Sequence, residues 1–226
     1  MRNCFILLVG LNLIVPAALR ADDSTDLKQL LTDLKTNEAV KKRKAVKQLT
    51  SMGTAAKAAA PSLIYLLERD RDALVRRGAA EALGAVGGDA KSTIPALAKA
   101  MSDSDLEVIT VASVALSKYG KQAVPVLQEA LADKDNQVRR HAAEALAKIG
   151  PDAKAAVPDL LKAYQAEGKQ MKRNTNTVKA SYVEALGAIG PDAKDAIPVF
   201  EAFLAERNPD RELRRVVTEA MRKIKK

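Results

Sequence analysis

The chain has 226 residues, of which 47% are hydrophobic, 29% are charged and only 3% are aromatic. This balance excludes an intrinsically disordered chain, which would be less apolar, and a multispan membrane protein, which would carry fewer charges. Forty-one alanines and no tryptophan favour close-packed helices over a β-sandwich or barrel, so we predict an all-α protein. Because the chain has one histidine and one cysteine, we expect no metal centre, no cofactor and no disulfide framework. The net charge of +9 is spread along the whole sequence.

The N-terminal segment is typical of a secretory signal peptide. Met1 and Arg2 form a short positive start, and the sixteen residues from Cys4 to Leu19 are mostly apolar. A helix of that length rises roughly 24 Å at about 1.5 Å per residue, which is short of a ~30 Å hydrocarbon core. We therefore predict that residues 1–21 are a signal peptide cleaved after Ala21, and that the mature protein is periplasmic or secreted without stable membrane insertion. The alternative is an uncleaved segment that stays as an anchor.

Residues 22–36 are the next predicted element, an N-terminal capping helix. Four leucines lie at the spacing i, i+3, i+4 and i+7, which places them on one face of a helix. They are Leu27, Leu30, Leu31 and Leu34. The segment has no place in the repeat that follows, so we expect it to cover the open end of a repetitive core.

A thirteen-residue pattern recurs through the remainder of the chain. The segment VRRGAAEALGAVG, from Val75 to Gly87, recurs between Val138 and Gly150 as VRRHAAEALAKIG. Looser or shorter copies span residues 41–53, 108–120, 178–190 and 213–224. Counted from the first residue of each copy, positions 0, +4, +7, +8 and +11 are nearly always apolar. That spacing is the stripe of an amphipathic helix.

Helix start and stop signals accompany the copies. A residue whose side-chain oxygen can cap free helix N–H groups stands three positions before the pattern. These residues are Asp72, Asp105, Asp135, Thr175 and Asp210. Glycines that can adopt the left-handed conformation end the helices, and prolines mark the first turn of a second helix. The glycines are Gly53, Gly87, Gly120, Gly150 and Gly190, and the prolines are Pro61, Pro95, Pro125, Pro158 and Pro198.

Each unit is therefore a predicted helical hairpin, and hairpins must stack because one of them cannot bury both its faces. The unit Asp-x-x-Val-Arg-x-x-Ala-Ala-x-Ala-Leu-x-x-Ile-Gly resembles the short HEAT-like repeat named after the phycobilisome lyases. The resemblance covers residues 37–224, and we expect residues 37–226 to form five hairpins and a terminal half-repeat. It implies a right-handed, armadillo-like α-solenoid that has its first helices on the convex side, its second helices on the concave side, and surfaces used mainly for protein–protein contact.

Two kinds of polar position inside the copies have predicted structural roles. Three arginines lie four residues before a glutamate, so we predict intrahelical ion pairs rather than an anion site. The pairs are Arg77 with Glu81, Arg140 with Glu144 and Arg215 with Glu219. His141 falls at a position that varies between copies, and we predict that it is exposed. The longest insertion, residues 166–177, is a predicted loop.

We predict a scaffold that is not an enzyme and that binds another protein or a peptide on its concave face. Two alternatives stay open: a cofactor-modifying enzyme similar to the bilin lyases, and a binder of an anionic polymer or nucleic acid. The His–Glu dipeptides of deoxyhypusine hydroxylase, a di-iron enzyme with HEAT-like repeats, are missing because Ala142 follows the only histidine. We expect no nucleic-acid partner, because there is no tryptophan for base stacking and the predicted concave positions have mixed charges.

The concave surface is predicted from the second helices. Positions +3, +4 and +7 after the proline lie outside the apolar stripe and differ between units, as a specific surface requires. The residues chosen from these positions are Tyr65, Glu68, Lys99, Ser102, Gln128, Glu129, Lys162, Gln165 and Glu201. Tyr65 is an aromatic anchor of the kind that dominates interfaces. The rival surface is a predicted apolar patch on the convex side, formed by Ile109, Val111 and Val114.

Overall fold

The protein is an all-α solenoid. The structure, a computed structural model, describes residues 21–167, 175–207 and 210–226, and every regular element in these ranges is a helix. Residues 1–20, which hold nearly all of the predicted signal peptide, lie outside the described ranges. Within those ranges, no helix combines the length and the apolarity that a bilayer crossing requires.

The helices alternate along the chain between two stacked layers. The first helices are α2 (Ala39–Met52), α4 (Ala73–Val86), α6 (Leu106–Ser117), α8 (Asn136–Ile149), α10 (Thr175–Ile189) and α12 (Arg211–Ile224). The second helices are α3 (Ala60–Arg69), α5 (Ala90–Ala100), α7 (Val124–Ala130), α9 (Val157–Glu167) and α11 (Ile197–Leu204). Helix α1 (Ala21–Asp33) precedes them and packs on α2 through the buried Leu30 and Leu34.

The predicted start and stop signals act at the helix ends. Asp72 accepts hydrogen bonds from the backbone N–H groups of Leu74 and Val75, at 2.9 and 3.1 Å. The aspartates at the starts of α6, α8 and α12 cap their helices in the same way, while the side chain of Thr175 lies outside the described residues. All five predicted glycines have φ between 55° and 79°, where a side chain would be strained. Helix length in this protein is thus set by local capping chemistry.

Between the two helices of a unit the chain forms a short 3₁₀ segment in four of the five hairpins. These segments are Gly53–Ala59, Gly120–Ala123, Gly150–Ala156 and Gly190–Ala196. The second unit differs, and there the predicted position of Pro95 in the first turn is wrong, because α5 already begins at Ala90. Gly88 permits this tighter path, since a Cβ atom on it would come within 2.8 Å of the Ala60 Cβ.

The core is built from one leucine position and several small ones. Position +8 of the pattern is fully buried in five consecutive first helices, at Leu49, Leu83, Leu116, Leu146 and Leu186. Burial of each such side chain stabilises the fold by about 1.5–3 kcal/mol. Neighbouring first helices approach so closely that a Cβ atom on Gly84 would lie 2.9 Å from that of Ala115. This close contact explains the abundance of alanine in the composition.

The predicted loop at residues 166–177 is shorter at both ends than expected. Helix α9 continues through Glu167, and α10 begins at Thr175. Residues 168–174 lie outside the described ranges.

Candidate binding face

The outward surface of α3, α5, α7, α9 and α11, together with the turn that follows α5, is what we call the second-helix face. It contains all nine predicted binding residues, with Ser102 in that turn. Tyr65 is the most prominent of them, with 66% of its surface exposed. Gln128 is half-buried, and the other eight are exposed. The face therefore presents side chains to solvent from every hairpin.

Contacts between consecutive second helices show which of these residues come together. Glu68 and Lys99 form an ion pair at 3.5 Å between Oε1 and Nζ. Gln128 donates hydrogen bonds from Nε2 to Oδ2 of Asp159, at 2.6 Å, and to the carbonyl of Ala155, at 3.2 Å. Gln128 is thus partly occupied in joining α7 to the next unit and is less available to a partner than we predicted.

The remaining predicted residues share the face without direct contact with one another among the described side chains. Glu201 instead pairs with Lys225 of α12, with 3.2 Å between Oε1 and Nζ. No side-chain hydrogen bond or ion pair is found in the described ranges for Tyr65, Ser102, Glu129, Lys162 or Gln165. Within the part of the chain that the structure describes, these five side chains are therefore available to a partner.

A cleft of 720 Å³ opens on this face between α7 and α9. Its apolar lining includes Leu131, Ala163 and Val178, together with the buried ring of Tyr182. Its polar lining consists of Gln128, Asp133, Lys134, Asp135, Asn136, Arg139, Asp159, Lys162 and Glu167. The sequence analysis singled out only Gln128 and Lys162. Most of the other polar groups come from α8 and from the loop before it, while Asp159 and Glu167 lie at the two ends of α9.

Arg139 organises one wall of the cleft. Its Nε donates to Oε1 of Glu167 at 2.7 Å, and its Nη1 donates to the backbone carbonyls of Asp133 and Lys134 at 2.8 and 3.1 Å. The Tyr182 hydroxyl also donates to Glu167, at 3.4 Å. One guanidinium therefore joins the loop that precedes α8 to the C-terminal end of α9, and so fixes both sides of the opening.

We call this arrangement, in which one cation joins the loop before a first helix to the end of the following second helix, a bracket. The same arrangement occurs two units earlier. Arg76 forms a bidentate pair with Asp103, at 2.8 and 2.7 Å, and donates to the carbonyls of Asp70 and Arg71. Lys42 takes the equivalent position in the first unit and binds Asp70 at 2.6 Å. We call the row of loops between units, which carries these brackets, the loop edge.

Sequence reasoning missed the brackets, although two signals for them are present. A cation follows the first apolar residue in several copies, and an Asp-x-Asp motif recurs at 70–72, 103–105 and 133–135. The second aspartate of each motif caps a helix, while the first accepts a hydrogen bond from the backbone N–H of the second. In the first two motifs, the first aspartate is also the partner of the bracket cation.

The buried groups behind the cleft have shifted pKa values. Burial, together with the nearby negative charge of Glu167, raises the pKa of Tyr182 to about 12. For Arg139, burial is the largest single influence and acts to lower the pKa, but the hydrogen bond that Arg139 donates to Glu167 and the negative charge of that carboxylate together outweigh burial, so the pKa is raised. At neutral pH the cleft wall therefore holds a neutral phenol and a charged guanidinium.

Two of the three predicted intrahelical ion pairs are wrong. Arg140 does pair with Glu144, at 3.3 Å. Arg77 pairs instead with Glu107 of the next first helix, and Arg215 with Glu212 one turn before it. Adjacent first helices lie close enough for an inter-unit pair to replace the one within the helix.

The prediction that His141 is exposed is also wrong, since only 2% of its surface is accessible. Its Nδ1 lies 3.0 Å from Oε2 of Glu144, and its Nε2 lies 3.1 Å from Nη2 of Arg140. Because Arg140 can only donate, these contacts assign the neutral tautomer whose Nδ1–H donates to Glu144. The buried histidine thus has a polar partner for each of its ring nitrogens.

The rival apolar patch is not a surface. Ile109 is 7% exposed and buried in the stack, while Val111 is half-buried against the core. Val114 is half-buried as well. The large hydrophobic residues that are exposed, besides Tyr65, lie near the starts of first helices: Val40, Leu74 and Leu106.

The described lining of the cleft lacks the usual groups of nucleophilic catalysis. It contains no serine, threonine, cysteine or histidine. No cluster of three or more potential metal ligands is found among the described residues. What the cleft offers is an apolar floor with charged and amide groups around it, a chemistry suited to recognition.

Comparison with known proteins identifies the repeat and the fold. A family model described as HEAT repeats matches residues 24–117 and 94–175. No curated protein sequence matches the chain.

Three solved structures illustrate the fold. Yeast importin-β (Kap95p) is similar with a TM-score of 0.65 and 14% identity, over 88% of this chain and 30% of that one. Computationally designed armadillo repeat proteins for modular peptide recognition give a TM-score of 0.51 and 18% identity, over 87% and 98% of the two chains. The CpcE–CpcF phycocyanin lyase of Nostoc gives 0.51 and 23%, over 93% and 80%. At these identities the likeness concerns the fold alone.

Proposed function

Since the chain belongs to the HEAT-repeat family, we propose that it is a non-catalytic scaffold whose second-helix face binds an extended segment of another protein. The observation that carries this proposal is the cleft between α7 and α9, which is continuous with exposed polar side chains of the neighbouring second helices. Its volume of 720 Å³ is within the range of sites that enclose a ligand group. The apolar floor would receive a side chain of the partner, and the surrounding charges would set its orientation.

The chemistry of the cleft favours a segment with both apolar and charged side chains. Arg139 and Glu167 largely satisfy each other. The charged groups left for a partner are Lys134 and Lys162, together with the second carboxylate oxygens of Asp133, Asp135 and Asp159, each of which already accepts one hydrogen bond through its other oxygen. At the other end of the face, Tyr65 supplies a large exposed ring. Designed armadillo proteins built for modular peptide recognition have a similar fold, which supports a peptide as the ligand.

We also propose that the protein acts outside the cytoplasm, on the basis of the signal-like segment at residues 1–21. Proximity labelling in the native organism, with the labelling enzyme fused at the C-terminus, would identify partners in that compartment. Mass spectrometry of the native protein tests export directly, because a processed chain begins near Asp22. Recovery of protein that still carries Arg2 would contradict cleavage.

The binding face is tested with purified protein and the identified partner. We expect the triple variant Tyr65→Ala, Lys99→Glu, Lys162→Glu to raise Kd by about tenfold or more, because it removes an aromatic anchor and reverses two charges. The matched control is Leu74→Ala, Lys44→Glu, Lys47→Glu, which truncates one large exposed side chain and reverses two charges on first helices, away from the cleft and from this face. Loss of binding in the control with full binding in the first variant would move the site away from the second helices.

A further inference from the structure

A second surface of the molecule carries an excess of unpaired positive charge. It runs along the turns that join the two helices of each unit, on the opposite side from the loop edge. Seven exposed lysines lie there, which define what we call the lysine edge: Lys57, Lys91, Lys118, Lys121, Lys148, Lys154 and Lys194. Four exposed aspartates share these turns: Asp89, Asp152, Asp192 and Asp195.

The turns of successive units are neighbours, so the lysines form a row. The 3₁₀ segments Gly120–Ala123, Gly150–Ala156 and Gly190–Ala196 contact one another in order. Lys57 from the first unit and Lys118 from the third line the same cavity of 390 Å³, on either side of Gly87 and Gly88. With about 8–10 Å between packed helices, the row offers one or two positive charges per step of the solenoid.

These lysines do not stabilise the fold through ion pairs among the described residues. None of the seven forms an ion pair in the ranges that the structure describes, whereas Lys42, Arg76 and Arg139 on the loop edge are all paired. Seven lysines against four aspartates leave a net positive charge along the row, and the resulting repulsion is unfavourable for stability unless a partner neutralises it. The row is therefore a candidate docking surface for a polyanion.

Three observations argue against a nucleic acid, a lipid bilayer and a phosphate-rich ligand as the polyanion that binds this edge. The edge has no exposed aromatic ring for base stacking, because Tyr119 is half-buried and donates its hydroxyl to the Leu83 carbonyl at 3.2 Å. The exposed large hydrophobic residues of the described ranges lie elsewhere, so nothing on this edge would insert into a bilayer. The cations are lysines, which are hydrated point charges, rather than arginines, which prefer bidentate binding to phosphate.

We propose that the lysine edge binds a linear anionic polysaccharide, with the polymer lying along the turns and the cavity between Lys57 and Lys118 as its strongest contact. The acidic groups of the polymer neutralise successive lysines, while the side-chain amide of Gln122, which lines the cavity, can donate a hydrogen bond. This site is separate from the second-helix face, so each can be removed without the other.

The test is a direct binding measurement with the purified mature chain and two probes, heparin for sulfate groups and polygalacturonate for carboxylate groups. We expect the variant Lys57→Gln, Lys118→Gln, Lys154→Gln to weaken binding about tenfold at 0.1 M salt and to reduce the salt dependence by roughly one charge per lysine. The matched control is Lys44→Gln, Lys47→Gln, Lys134→Gln, which removes the same charge from exposed lysines elsewhere. We expect it to change Kd by less than about twofold.

Several results would overturn the proposal. Equal weakening in both variants would show that only net charge matters, and no binding by the unmodified chain would remove the site altogether. Tighter binding to single-stranded DNA, poly-glutamate or phosphatidylglycerol vesicles than to either polysaccharide would assign the edge to a different class of partner. The Tyr65→Ala, Lys99→Glu, Lys162→Glu variant should still bind the polysaccharides, which distinguishes failure here from failure of the proposed function.

Discussion

The two edges of the solenoid contain similar residues and use them differently. On the loop edge, Arg76 and Arg139 are held by a carboxylate and by backbone carbonyls. Each guanidinium thereby joins the loop before its unit to the C-terminal end of that unit's second helix or to the turn just after it. On the lysine edge, the cations stand alone among the described residues. The difference teaches that a recurring basic residue is structural when the next loop supplies an acid for it, and is available to a partner when the loop does not.

The largest expected effect is the loss of stability when a bracket arginine on the loop edge is removed. We expect Arg76→Ala to reduce the free energy of unfolding by about 2 kcal/mol, because it leaves the Asp103 carboxylate and two carbonyls without their donor. The pair is well shielded, with 13% and 11% of the two side chains exposed. Urea denaturation measures the loss, and Lys154→Ala on the lysine edge is the control, for which we expect almost none.

A double-mutant cycle isolates the pair from other effects of the truncation. Arg76→Ala combined with Asp103→Ala should cost clearly less than the sum of the two single variants, since each removes the same interaction. Additive losses would mean that the bracket contributes packing alone, and the distinction between the edges would then fail.

A smaller effect is expected in acid. Burial is the largest single influence and acts to raise the pKa of Asp103, but the hydrogen bond from Arg76, the hydrogen bond from the Asp105 backbone N–H and the positive charge of Arg76 together outweigh it and hold the pKa below the ordinary value of 3.8. The contribution of this carboxylate is therefore complete above its unfolded pKa and is lost as the pH falls through the lower, folded one. We expect the stability difference between the unmodified protein and Asp103→Asn to shrink as the pH drops from about 5 to 3.

The comparison for this pH dependence is Asp192→Asn, on the lysine edge. Asp192 has no cation within ion-pair distance in the described ranges, so its replacement should leave the acid limb of the stability curve unchanged. If both variants changed the pH dependence of stability to a similar extent, the loss of stability in acid could not be attributed to the bracket.

The smallest expected effect is a shift in thermal stability when lysines of the lysine edge are replaced. We expect Lys57→Gln, Lys118→Gln, Lys154→Gln to shift the thermal midpoint by no more than about 1 °C, upward at low salt because repulsion along the row is relieved. The shift should vanish in 0.5 M salt, where exposed charges are screened over about 4 Å. A marked loss of thermal stability would mean that these lysines hold the fold together.

Much of the fold could be predicted from the sequence because its determinants are local. Asp72 caps α4, Gly87 ends it, and the apolar stripe between them is buried, all within one copy of the pattern. The cleft could not be predicted in the same way, since its walls come from α7, α8, α9 and α10. Of its polar lining, only Gln128 and Lys162 were found, because they lie outside the stripe of a second helix.

What the sequence determined by itself was the hairpin, its repetition and its stacked core, because helix periodicity and capping act over a few neighbouring residues. What only the tertiary structure decided was which polar residue meets which, since that depends on distances between units. His141 is buried with a polar partner on each ring nitrogen, and Arg77 pairs with Glu107 because the next first helix lies within reach. Arg76 and Lys154 both look like surface cations in the sequence, and only stacking gives the first an acid and leaves the second without one in the described ranges.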